Sequence, residues 1–560
     1  MDLKRVLRTF LVLWMLLMLS ACGEAPEVSQ ESTAPPEPEC VYYNTYLTTD
    51  PISLDISKIS DTSSANVINN VMESLVRMGE RNGNYTIIPG DALTWETNAN
   101  GTVWTFRLGE NTWSDGEMVT AYDYVYSLRR SADLQTDCPN EYYLLPVAGY
   151  REVRSGAPLE TLGVRALDEK TLQITLSYPV PSFLEMCCGT IYYPQRQDVV
   201  ERYGELYGTE PEYALYNGPY FLDAWEHDSS LTLRKREDYW NARNVQIEKV
   251  NIHILKDSAT VCAMFAEGKL DNVTTSNAQW METFMAREDT TYVKSYGAAV
   301  NFMFFNTKDP LMCNGNIRRA FSMAIDREGL NQTCFGGRSN AATGWVSPSV
   351  SVGSISYRGF AGNMIHAMYG EAREKNMTAR EYLLLGMKEL GMGEDPSALD
   401  VNFSLAGTDA WFHTLGEYLQ STYWDALGVE LKVSYADWDA FSADLESGNY
   451  QMGYMGWTAN YNDPYDVLSL FMSTNDSLGI GWASREFDNL VLKAQKEMDE
   501  AKRLQIYQEA EAILLLEEFV VNPLLFPSAN GFYRNYVGGY ATLAFSTEGY
   551  QNMTIGDRTE

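Results

Sequence analysis

Hydrophobic and polar residues alternate strictly along three segments of the chain. Every second residue is apolar, as in a β-strand, whose successive side chains point to opposite faces of a sheet. The pattern therefore predicts three strands, each with one buried and one polar side. These segments are residues 104–108 (WTFRL), 172–176 (LQITL) and 250–254 (VNIHI). His253 falls on the polar side of the third strand, where we expect an exposed or locally hydrogen-bonded histidine.

Other segments repeat apolar residues every three or four positions, which places those residues on one face of a helix. This spacing predicts helices at 317–324, 490–498 and 504–514, and a further helix is predicted at 122–130. Turn sequences separate these elements, such as WSDG at 113–116 and NGP at 217–219. Together the patterns predict a protein of mixed α and β structure.

The N-terminus has the features of a bacterial lipoprotein signal. Basic residues precede an apolar run from Phe10 to Leu19, which is too short to span a bilayer comfortably. The run closes with Leu19-Ser20-Ala21-Cys22, which resembles a lipobox. We therefore expect residues 1–21 to be a signal peptide and Cys22 to carry a lipid that anchors the protein outside the cytoplasm. Residues 22–40, rich in proline, glutamate, serine and threonine, are predicted to be a flexible linker.

Length and charge narrow the class of protein. The chain has 560 residues and a formal net charge of -33, from 75 acidic and 42 basic residues. A chain of this length exceeds what one hydrophobic core usually holds, so several domains are expected. Nucleic acid is not expected as a partner, because phosphate backbones attract basic surfaces and the sequence has no dense cluster of lysine or arginine.

The sequence contains none of the common catalytic or metal-binding motifs. Its 4 histidines are scattered, and HExxH, GxSxG and Walker sequences are absent. One of the 8 cysteines is Cys22, and the odd number that remains, without a CxxC pair, indicates neither a zinc site nor a complete disulfide framework. Spacing does not decide which of them pair, if any do. We expect no cofactor, no metal site and no enzymatic activity.

An ordered series of short motifs extends over nearly the whole chain after the linker. The motifs are WTFRL (104–108), WSDG (113–116), AYDYVYSLRR (121–130), NGPY (217–220), DYW (238–240), EGKLD (267–271), IRRAFSMAIDR (317–327), GW (456–457), DP (463–464) and VGGY (537–540). One motif alone, such as WSDG, would be a weak signal. In this order the motifs resemble the peptide/nickel-type solute-binding proteins of ABC importers (family 5), and most of all the oligopeptide-binding lipoproteins among them.

The resemblance implies an α/β, periplasmic-binding-protein-like fold of cluster C type, with two lobes joined by a hinge and an extra third domain. Carried onto this chain, lobe I consists of residues 41–72, 205–298 and 529–560, the extra domain of 73–204, and lobe III of 299–528. The points where the chain passes between the lobes would form the hinge, and a ligand would select the closed state.

The same resemblance implies that a peptide lies between the lobes as an added strand, held through its backbone. Asp61 and Thr62 of lobe I would oppose a segment of lobe III that supplies main-chain partners. That segment consists of Gly456, Trp457, Thr458, Ala459 and Asn460. Trp438 and Trp457 would form the wall of a side-chain pocket, although ordinary core packing would explain these tryptophans equally well.

The chain departs from the peptide binders at Asn460. Those proteins have an aspartate there, which pairs with the α-ammonium group of the ligand. Because a neutral amide accepts a weaker hydrogen bond than a carboxylate, we expect a free amino terminus to bind roughly tenfold less tightly. Asp463 would be a substitute if its loop were reshaped, whereas its position before Pro464 favours a structural turn.

Further departures concern the other end of the ligand. Tyr454 and Pro527 replace an arginine and a tyrosine of some oligopeptide binders. His413 is retained at a position that can face the carboxyl end of the ligand, and Arg338 lies in a loop that would contribute charge there. A surface histidine at the start of a helix explains His413 equally well.

The resemblance implies an extracytoplasmic substrate-binding lipoprotein that captures oligopeptides and delivers them to ABC permease subunits. We expect a monomer, attached to the membrane through the lipid on Cys22. Within the family the alternative ligand is a glycan fragment, an opine or a metal chelate, and the 13 Trp and 36 Tyr suit a sugar as well as a peptide. Outside it, the alternatives are a surface hydrolase and a receptor that signals through a membrane sensor.

Overall fold

The computed structural model describes residues 40–476, 478–547 and 549–558. The predicted signal peptide, the lipidation site at Cys22 and the linker up to residue 39 lie outside these ranges and stay predictions. Among the described helices, none combines the length and the apolar character needed to cross a membrane.

Strands occur along the whole described chain. In chain order they are β1 (Tyr42–Leu47), β2 (Val76–Arg81), β3 (Asn84–Pro89), β4 (Ala92–Thr97), β5 (Val103–Leu108), β6 (Val164–Asp168), β7 (Thr171–Thr175), β8 (Tyr220–Glu226), β9 (Ser230–Lys235), β10 (Lys249–Ile254), β11 (Asn272–Thr274), β12 (Thr290–Tyr296), β13 (Ala299–Phe305), β14 (Asn340–Ala341), β15 (Ser351–Val352), β16 (Ile355–Ser356), β17 (Val401–Ala406), β18 (Leu431–Ala436), β19 (Met452–Thr458), β20 (Val521–Phe526), β21 (Ser528–Arg534), β22 (Val537–Gly538) and β23 (Thr554–Ile555).

The α-helices are interspersed with these strands. In chain order they are α1 (Thr62–Val71), α2 (Ala121–Ala132), α3 (Tyr150–Arg154), α4 (Phe183–Met186), α5 (Gln197–Tyr203), α6 (Ser258–Ala266), α7 (Ala278–Met285), α8 (Gly315–Ala324), α9 (Arg327–Phe335), α10 (Tyr357–Ala361), α11 (Met364–Glu374), α12 (Ala379–Glu389), α13 (Ala410–Leu427), α14 (Trp438–Ser447), α15 (Pro464–Leu468), α16 (Arg485–Ala494) and α17 (Glu500–Ala512), which continues as a π-helix (Ile513–Glu517).

The strands predicted from strict alternation are confirmed as β5, β7 and β10. The helices predicted at 122–130, 317–324 and 504–514 are confirmed as α2, α8 and α17 with its π-helical continuation. The helix predicted at 490–498 is shorter at its C-terminal end, because α16 stops at Ala494 and the next helix begins at Glu500. His253 is half-buried on the side of β10 that alternates with the buried Ile252 and Ile254, as its position on the polar side predicts.

Residues assigned to lobe I form two larger sheets and a third, of β22 and β23, which has only two short strands. The first has the order β1-β10-β9-β8, with β1 parallel to β10 and the other pairs antiparallel. Tyr43 and Val250 lie opposite each other in it, and both are buried. The second has the order β11-β21-β12 and is antiparallel throughout.

The residues assigned to the extra domain form an antiparallel sheet of order β4-β5-β7-β6, on which helix α2 packs. Its buried residues belong to the same hydrophobic core as those of lobe I. Tyr43 and Val250 of lobe I share this core with Phe106 and Leu128 of the extra domain. Because one core joins them, we expect lobe I and the extra domain to move as one body.

Lobe III is built on a sheet of order β14-β20-β13-β19-β17-β18. From Phe302 to Phe305 its strand β13 is buried on both faces, which explains the continuous apolar run FMFF there. Phe302 and Phe304 enter the core on one face, whereas Met303 and Phe305 enter a separate core on the other. The domain limits themselves stay a prediction, and β21 begins at Ser528, one residue before the limit proposed for lobe I.

Two short connections carry the described chain between the lobe I and lobe III sheets. Gly297 and Ala298 connect β12 to β13, and Pro527 alone connects β20 to β21. Lobe III holds the first connection through Ser347, whose hydroxyl donates to the carbonyl of Gly297 at 2.9 Å. We call these two connections the crossings.

Candidate functional site

A cavity of about 590 Å³ lies where lobe I, the extra domain and lobe III meet beside the crossings. Each of these parts contributes residues to its wall, and we call the cavity the interlobe cleft. Its lining includes Thr62, Asn69, Thr542 and Ser546 of lobe I, Tyr143, Glu185 and Cys188 of the extra domain, Tyr296, Gly297 and Ala529 at the crossings, and Thr458, Asn460 and Tyr461 of lobe III.

Two further cavities adjoin the interlobe cleft. One, of about 420 Å³, lies in lobe I and shares Thr62, Asn69 and Thr547 with the cleft. The other, of about 480 Å³, lies between the extra domain and lobe III and shares Asn460 and Tyr461 with it. The space available to a solute therefore extends from the cleft in two directions, which suits an elongated molecule.

Strand β19 has one fully paired side and one that is largely open. It pairs with β13 along its whole length, from Met452 opposite Phe305 to Thr458 opposite Ala299. Its ladder with β17 on the other side holds only Met452 and Gly453. Within the described residues no further strand pairs with positions 454–458 on that side. Since Thr458 lines the interlobe cleft, lobe III presents an unpaired strand edge there.

The backbone groups of Gly456 and Thr458 point to this open side. The N–H of Ala459 donates to the carbonyl of Ala298, on the β13 side, at 2.9 Å. Successive residues of an antiparallel ladder alternate in the side to which their backbone groups point. Trp457 therefore also faces β13, whereas Gly456 and Thr458, which are both exposed, face away from it. An extended chain beside them would find N–H and carbonyl groups for β-type hydrogen bonds.

Asp61 and Thr62 lie at the start of helix α1. The Asp61 carboxylate caps the helix by accepting a hydrogen bond from the N–H of Ser64 at 2.8 Å. Its other oxygen is buried and has no hydrogen-bond partner among the described residues. Thr62 lines the interlobe cleft together with Thr458, so the structure brings these two predicted residues to the same cavity.

Asn460 is exposed in the interlobe cleft but is tied to the neighbouring Asp466. Its backbone N–H donates to Asp466 Oδ2 at 2.6 Å, and its side-chain Nδ2 donates to Asp466 Oδ1 at 3.2 Å. Its carbonyl accepts a hydrogen bond of 2.9 Å from the hydroxyl of Tyr143 in the extra domain. Burial raises the pKa of Asp466 to about 6, against the lowering effect of these hydrogen bonds. The side-chain amide of Asn460 is thus hydrogen-bonded to a buried carboxylate, that of Asp466, which the sequence motifs do not single out.

Asp463 is buried and engaged by the fold. Its carboxylate caps helix α15 through the N–H of Tyr465 at 2.8 Å and accepts a hydrogen bond of 2.8 Å from the hydroxyl of Tyr507. It also lies 3.8 Å from the guanidinium group of Arg503. Burial raises the pKa of Asp463, and Arg503 opposes that effect. These contacts are those of a structural turn, and a role toward a ligand stays a prediction.

The structure places Trp438 and Trp457 in different surroundings. Trp438 begins helix α14, is 57% exposed and has its ring 5.9 Å from that of Phe441. Trp457 is half-buried against one core of lobe III, and its indole N–H has no hydrogen-bond partner within the described chain. The side-chain pocket predicted between them stays a prediction.

His413 and Arg338 are not among the residues that line the interlobe cleft. His413 is exposed in the first turn of helix α13, with its ring 4.2 Å from that of Tyr435. Arg338 follows helix α9, and its carbonyl accepts a hydrogen bond from the hydroxyl of Ser528, next to the Pro527 crossing. These positions do not test the predicted role of His413 and Arg338 in binding the carboxyl end of a ligand, which stays a prediction.

Glu185 lines the interlobe cleft, although no motif in the sequence pointed to it. It belongs to the short helix α4, and its side chain is partly exposed. Burial raises the pKa of its carboxyl group to about 7, while the charge of Asp463 raises it further and that of Arg503 lowers it. The only sequence signal is one acidic residue in the otherwise apolar stretch FLEMCC at 183–188.

The described cysteines and acidic residues form no metal site. No group of three or more histidine, cysteine, aspartate or glutamate side chains in the described ranges could hold a metal ion. Cys138, Cys187, Cys188, Cys262, Cys313 and Cys334 are not disulfide-bonded in this part of the chain.

Comparison with known families decides the class of the protein. The sequence profile of the bacterial extracellular solute-binding proteins, family 5 Middle, matches residues 86–479. The chain belongs to this family. Family 5 consists of solute-binding proteins, not of enzymes, and the predicted membership is thereby confirmed.

Relatives of this family 5 solute-binding protein match it over nearly its whole length. It is 28% identical over 527 residues to the oligopeptide-binding protein OppA of Bacillus subtilis, covering 92% of this chain and 93% of that protein. The solved murein tripeptide binding protein MppA of Escherichia coli has a TM-score of 0.72 at 22% identity, covering 93% and 99% of the two chains. Listeria monocytogenes OppA bound to peptide has a TM-score of 0.69 at 24% identity, covering 93% and 100%. These likenesses confirm the predicted two-lobe α/β fold.

Proposed function

We propose that this family 5 protein captures oligopeptides in the interlobe cleft and delivers them to an ABC importer. The observation that carries the proposal is the open edge of β19, where Gly456 and Thr458 direct backbone groups away from β13. Backbone pairing is common to all peptides, so an added strand binds them with little regard to sequence. The names of the relatives, oligopeptide-binding proteins of almost equal length, support this ligand class.

The cavities next to the edge suit the side chains of such a peptide. Successive side chains of an extended chain point in opposite directions. The lobe I cavity and the cavity between the extra domain and lobe III extend from the interlobe cleft in two directions. Both contain several tyrosines, which contact apolar and polar side chains alike. Varied peptides would therefore be accepted.

Capture would involve a movement of lobe III against the rest of the molecule. Lobe I and the extra domain share one core, whereas the lobe III sheet has two cores of its own. The two crossings are the points about which such a movement would occur. A peptide that contacts both bodies stabilises the closed arrangement and is released unchanged at the transporter.

The protein would act outside the cytoplasm, held at the membrane by a lipid on Cys22. The basic start, short apolar run and Leu19-Ser20-Ala21-Cys22 support this attachment. Intact mass measurement of the protein from the membrane fraction would show a chain that begins at Cys22 and carries lipid. A chain that begins elsewhere, or an unmodified Cys22, would contradict it.

The ligand class is tested first by native mass spectrometry of the protein purified from its own cells, without refolding. We expect a heterogeneous set of bound peptides that are lost together on denaturation. A peptide identified in this way is then synthesised, and its backbone amides are methylated one at a time. Binding of each variant is measured by titration calorimetry.

In an added strand only every second ligand N–H faces β19. Methylation at these positions removes a hydrogen bond and leaves a protein carbonyl unsatisfied, so affinity should fall roughly 5- to 100-fold, and much less at the intervening positions. The intervening positions of the same peptide are the matched control. Equal losses at all positions would reject the added strand, and a retained sugar or chelate in place of peptides would reject the ligand class.

A further inference from the structure

The interlobe cleft contains one charged side chain among the described residues that line it, and that side chain is Glu185. The remainder of its lining consists of threonine, serine, asparagine, tyrosine and apolar residues. The adjoining lobe I cavity has no charged residue in its described lining. In the interlobe cleft and the lobe I cavity the electrostatic preference for a solute therefore depends mainly on one carboxylate. The charged residues in the lining of the third cavity, between the extra domain and lobe III, are Arg151, Asp463, Asp466, Lys496 and Arg503.

The other carboxylates near the interlobe cleft are engaged by the fold. Asp466 accepts hydrogen bonds from Asn460, and Asp463 accepts them from Tyr465 and Tyr507. Asp61, which is not in the cleft lining, accepts one from the N–H of Ser64 through one oxygen, and its other oxygen is buried without a partner among the described residues. No other described residue donates a hydrogen bond to the Glu185 carboxylate or forms an ion pair with it, and its own backbone N–H is its one donor there. A partly buried carboxylate without a partner is costly, and a cationic group of a ligand would remove that cost.

The fold holds Glu185 in a defined place. Phe183, in the same helix α4, is fully buried, with its ring 5.6 Å from Trp104 and 5.9 Å from Tyr192. This packing fixes the backbone from which Glu185 projects.

The segment after α4 leads toward the open strand edge. At Gly189 an added Cβ would lie 3.3 Å from the ring of Tyr143, so the backbone there is packed against that ring. The hydroxyl of Tyr143 in turn donates to the carbonyl of Asn460 at 2.9 Å. Glu185 thus stands in the same cavity as Asn460, which follows the end of β19.

We propose that Glu185 is the specificity-determining anion of the interlobe cleft and binds an ammonium group of the solute. This inference rests on the proposed peptide function. The ammonium group has two sources in a peptide, the free amino terminus and a lysine side chain, and both present the same chemistry to the carboxylate. Asn460 offers no charge there, because its side chain is neutral and its Nδ2 is directed to Asp466.

The test compares Glu185→Gln with the wild type against a library of tri- to pentapeptides whose side chains are all neutral. The library is prepared in three forms: with free amino termini, N-acetylated, and N-acetylated with one lysine in each peptide. Selected peptides are identified by mass spectrometry, and their affinities are measured by calorimetry. Glu205→Gln is the matched control, because it removes the same charge from an exposed ion pair with Lys58. Glu185→Asp keeps the charge and shows whether a loss in Glu185→Gln is electrostatic.

We expect Glu185→Gln to weaken peptides with an ammonium group about 10- to 100-fold and N-acetylated neutral peptides less than about twofold. Glu185→Asp should retain a preference for the ammonium forms, and Glu205→Gln should match the wild type. A loss confined to free amino termini identifies the α-ammonium group, and a loss confined to the lysine form identifies a side chain.

Two results would overturn the inference, and they differ. If the wild type binds all three forms equally, or if Glu185→Gln weakens all three equally, the peptide function stands and the role of Glu185 is rejected. If the wild type binds no form of the library, the peptide function is rejected and the role of Glu185 with it. Thermal unfolding of each variant shows that the comparison is made between folded proteins.

Discussion

In the core of lobe III the Glu511 carboxylate accepts hydrogen bonds from several other residues, whereas in the interlobe cleft no other described residue donates to the Glu185 carboxylate. Glu511 accepts hydrogen bonds of 2.7 Å from the N–H of Trp345 and 2.9 Å from the hydroxyl of Tyr357, and it pairs with the guanidinium group of Arg358. Its side chain is fully buried. Glu185 is partly exposed in a cavity large enough to hold a solute.

The difference shows how one residue type serves two purposes. A carboxylate whose oxygens are fully occupied by the protein stabilises the fold and has no capacity left for a ligand. A partly buried carboxylate that accepts no hydrogen bond from another residue lowers stability, but it can bind a cation that enters the cavity. Complete hydrogen bonding therefore indicates a structural role, and its absence in a cavity indicates a binding role.

Of the changes that test this difference between Glu511 and Glu185, Glu511→Ala should have the largest effect. This change leaves the buried Arg358 without its partner, and we expect a loss of about 3–5 kcal/mol in the free energy of unfolding. Urea denaturation followed by circular dichroism measures it. Glu509→Ala, at an exposed position of the same helix α17, is the matched control and should change stability by less than about 0.5 kcal/mol. Equal losses in the free energy of unfolding for the two changes would show that Glu511 stabilises the fold no more than an exposed glutamate does.

A second carboxylate placed in the cleft sharpens the comparison. Asn460→Asp alone would bring like charges together, because Asn460 Nδ2 lies 3.2 Å from Asp466 Oδ1. The double variant Asn460→Asp with Asp466→Asn keeps one carboxylate and one amide in contact. We expect the double variant to bind peptides with free amino termini about tenfold more tightly than the wild type, and the single variant less than about threefold.

Calorimetry at pH 7.5 compares these two variants. Their effects on N-acetylated peptides provide the control, since no ammonium group is present there. Equal gains for acetylated and free peptides would show that position 460 does not face the amino terminus of the ligand.

A smaller effect is expected from pH. Burial raises the pKa of Glu185 to about 7, with Asp463 and Glu500 raising it and Arg503 lowering it. Below that pH the carboxyl group is increasingly protonated in the free protein, and binding an ammonium group must release the proton. Affinity for peptides with an ammonium group should therefore fall about fivefold from pH 7 to pH 6.

Titration calorimetry of one free peptide at both pH values measures this dependence, and Glu185→Gln is the control. The variant should lose the fivefold change. A wild-type dependence that persists in Glu185→Gln would assign it to another group, such as Asp466, whose pKa is raised to about 6.

The sequence predicted those parts of the fold that have one buried and one exposed face. Strands β5, β7 and β10 alternate in polarity because only one side of each is covered. Strand β13 has no such alternation, since Phe302 and Met303 enter cores on opposite faces. Periodicity alone cannot distinguish a segment of this kind from a buried helix.

The candidate site was predictable only in part. Resemblance to the family pointed to Thr62, Thr458 and Asn460, and all of them line the interlobe cleft. It could not point to Glu185 or to Asp466, because their importance depends on which donors surround them in space. His413 and Trp438 carried equally good alternatives in the sequence, and their predicted roles toward a ligand stay predictions, since neither residue lines the interlobe cleft and Trp438 is 57% exposed rather than packed in a core.

The two crossings restrict how lobe III can turn. Pro527 and the Gly297–Ala298 pair are both very short connections between neighbouring strands. Together they define one hinge axis for lobe III. Lobe III can rotate about the axis through both crossings, whereas rotation about one crossing alone would stretch the other. Spin labels placed on lobe I and on lobe III, on the two sides of the interlobe cleft, should therefore show distances that change together, as rotation about a single axis requires.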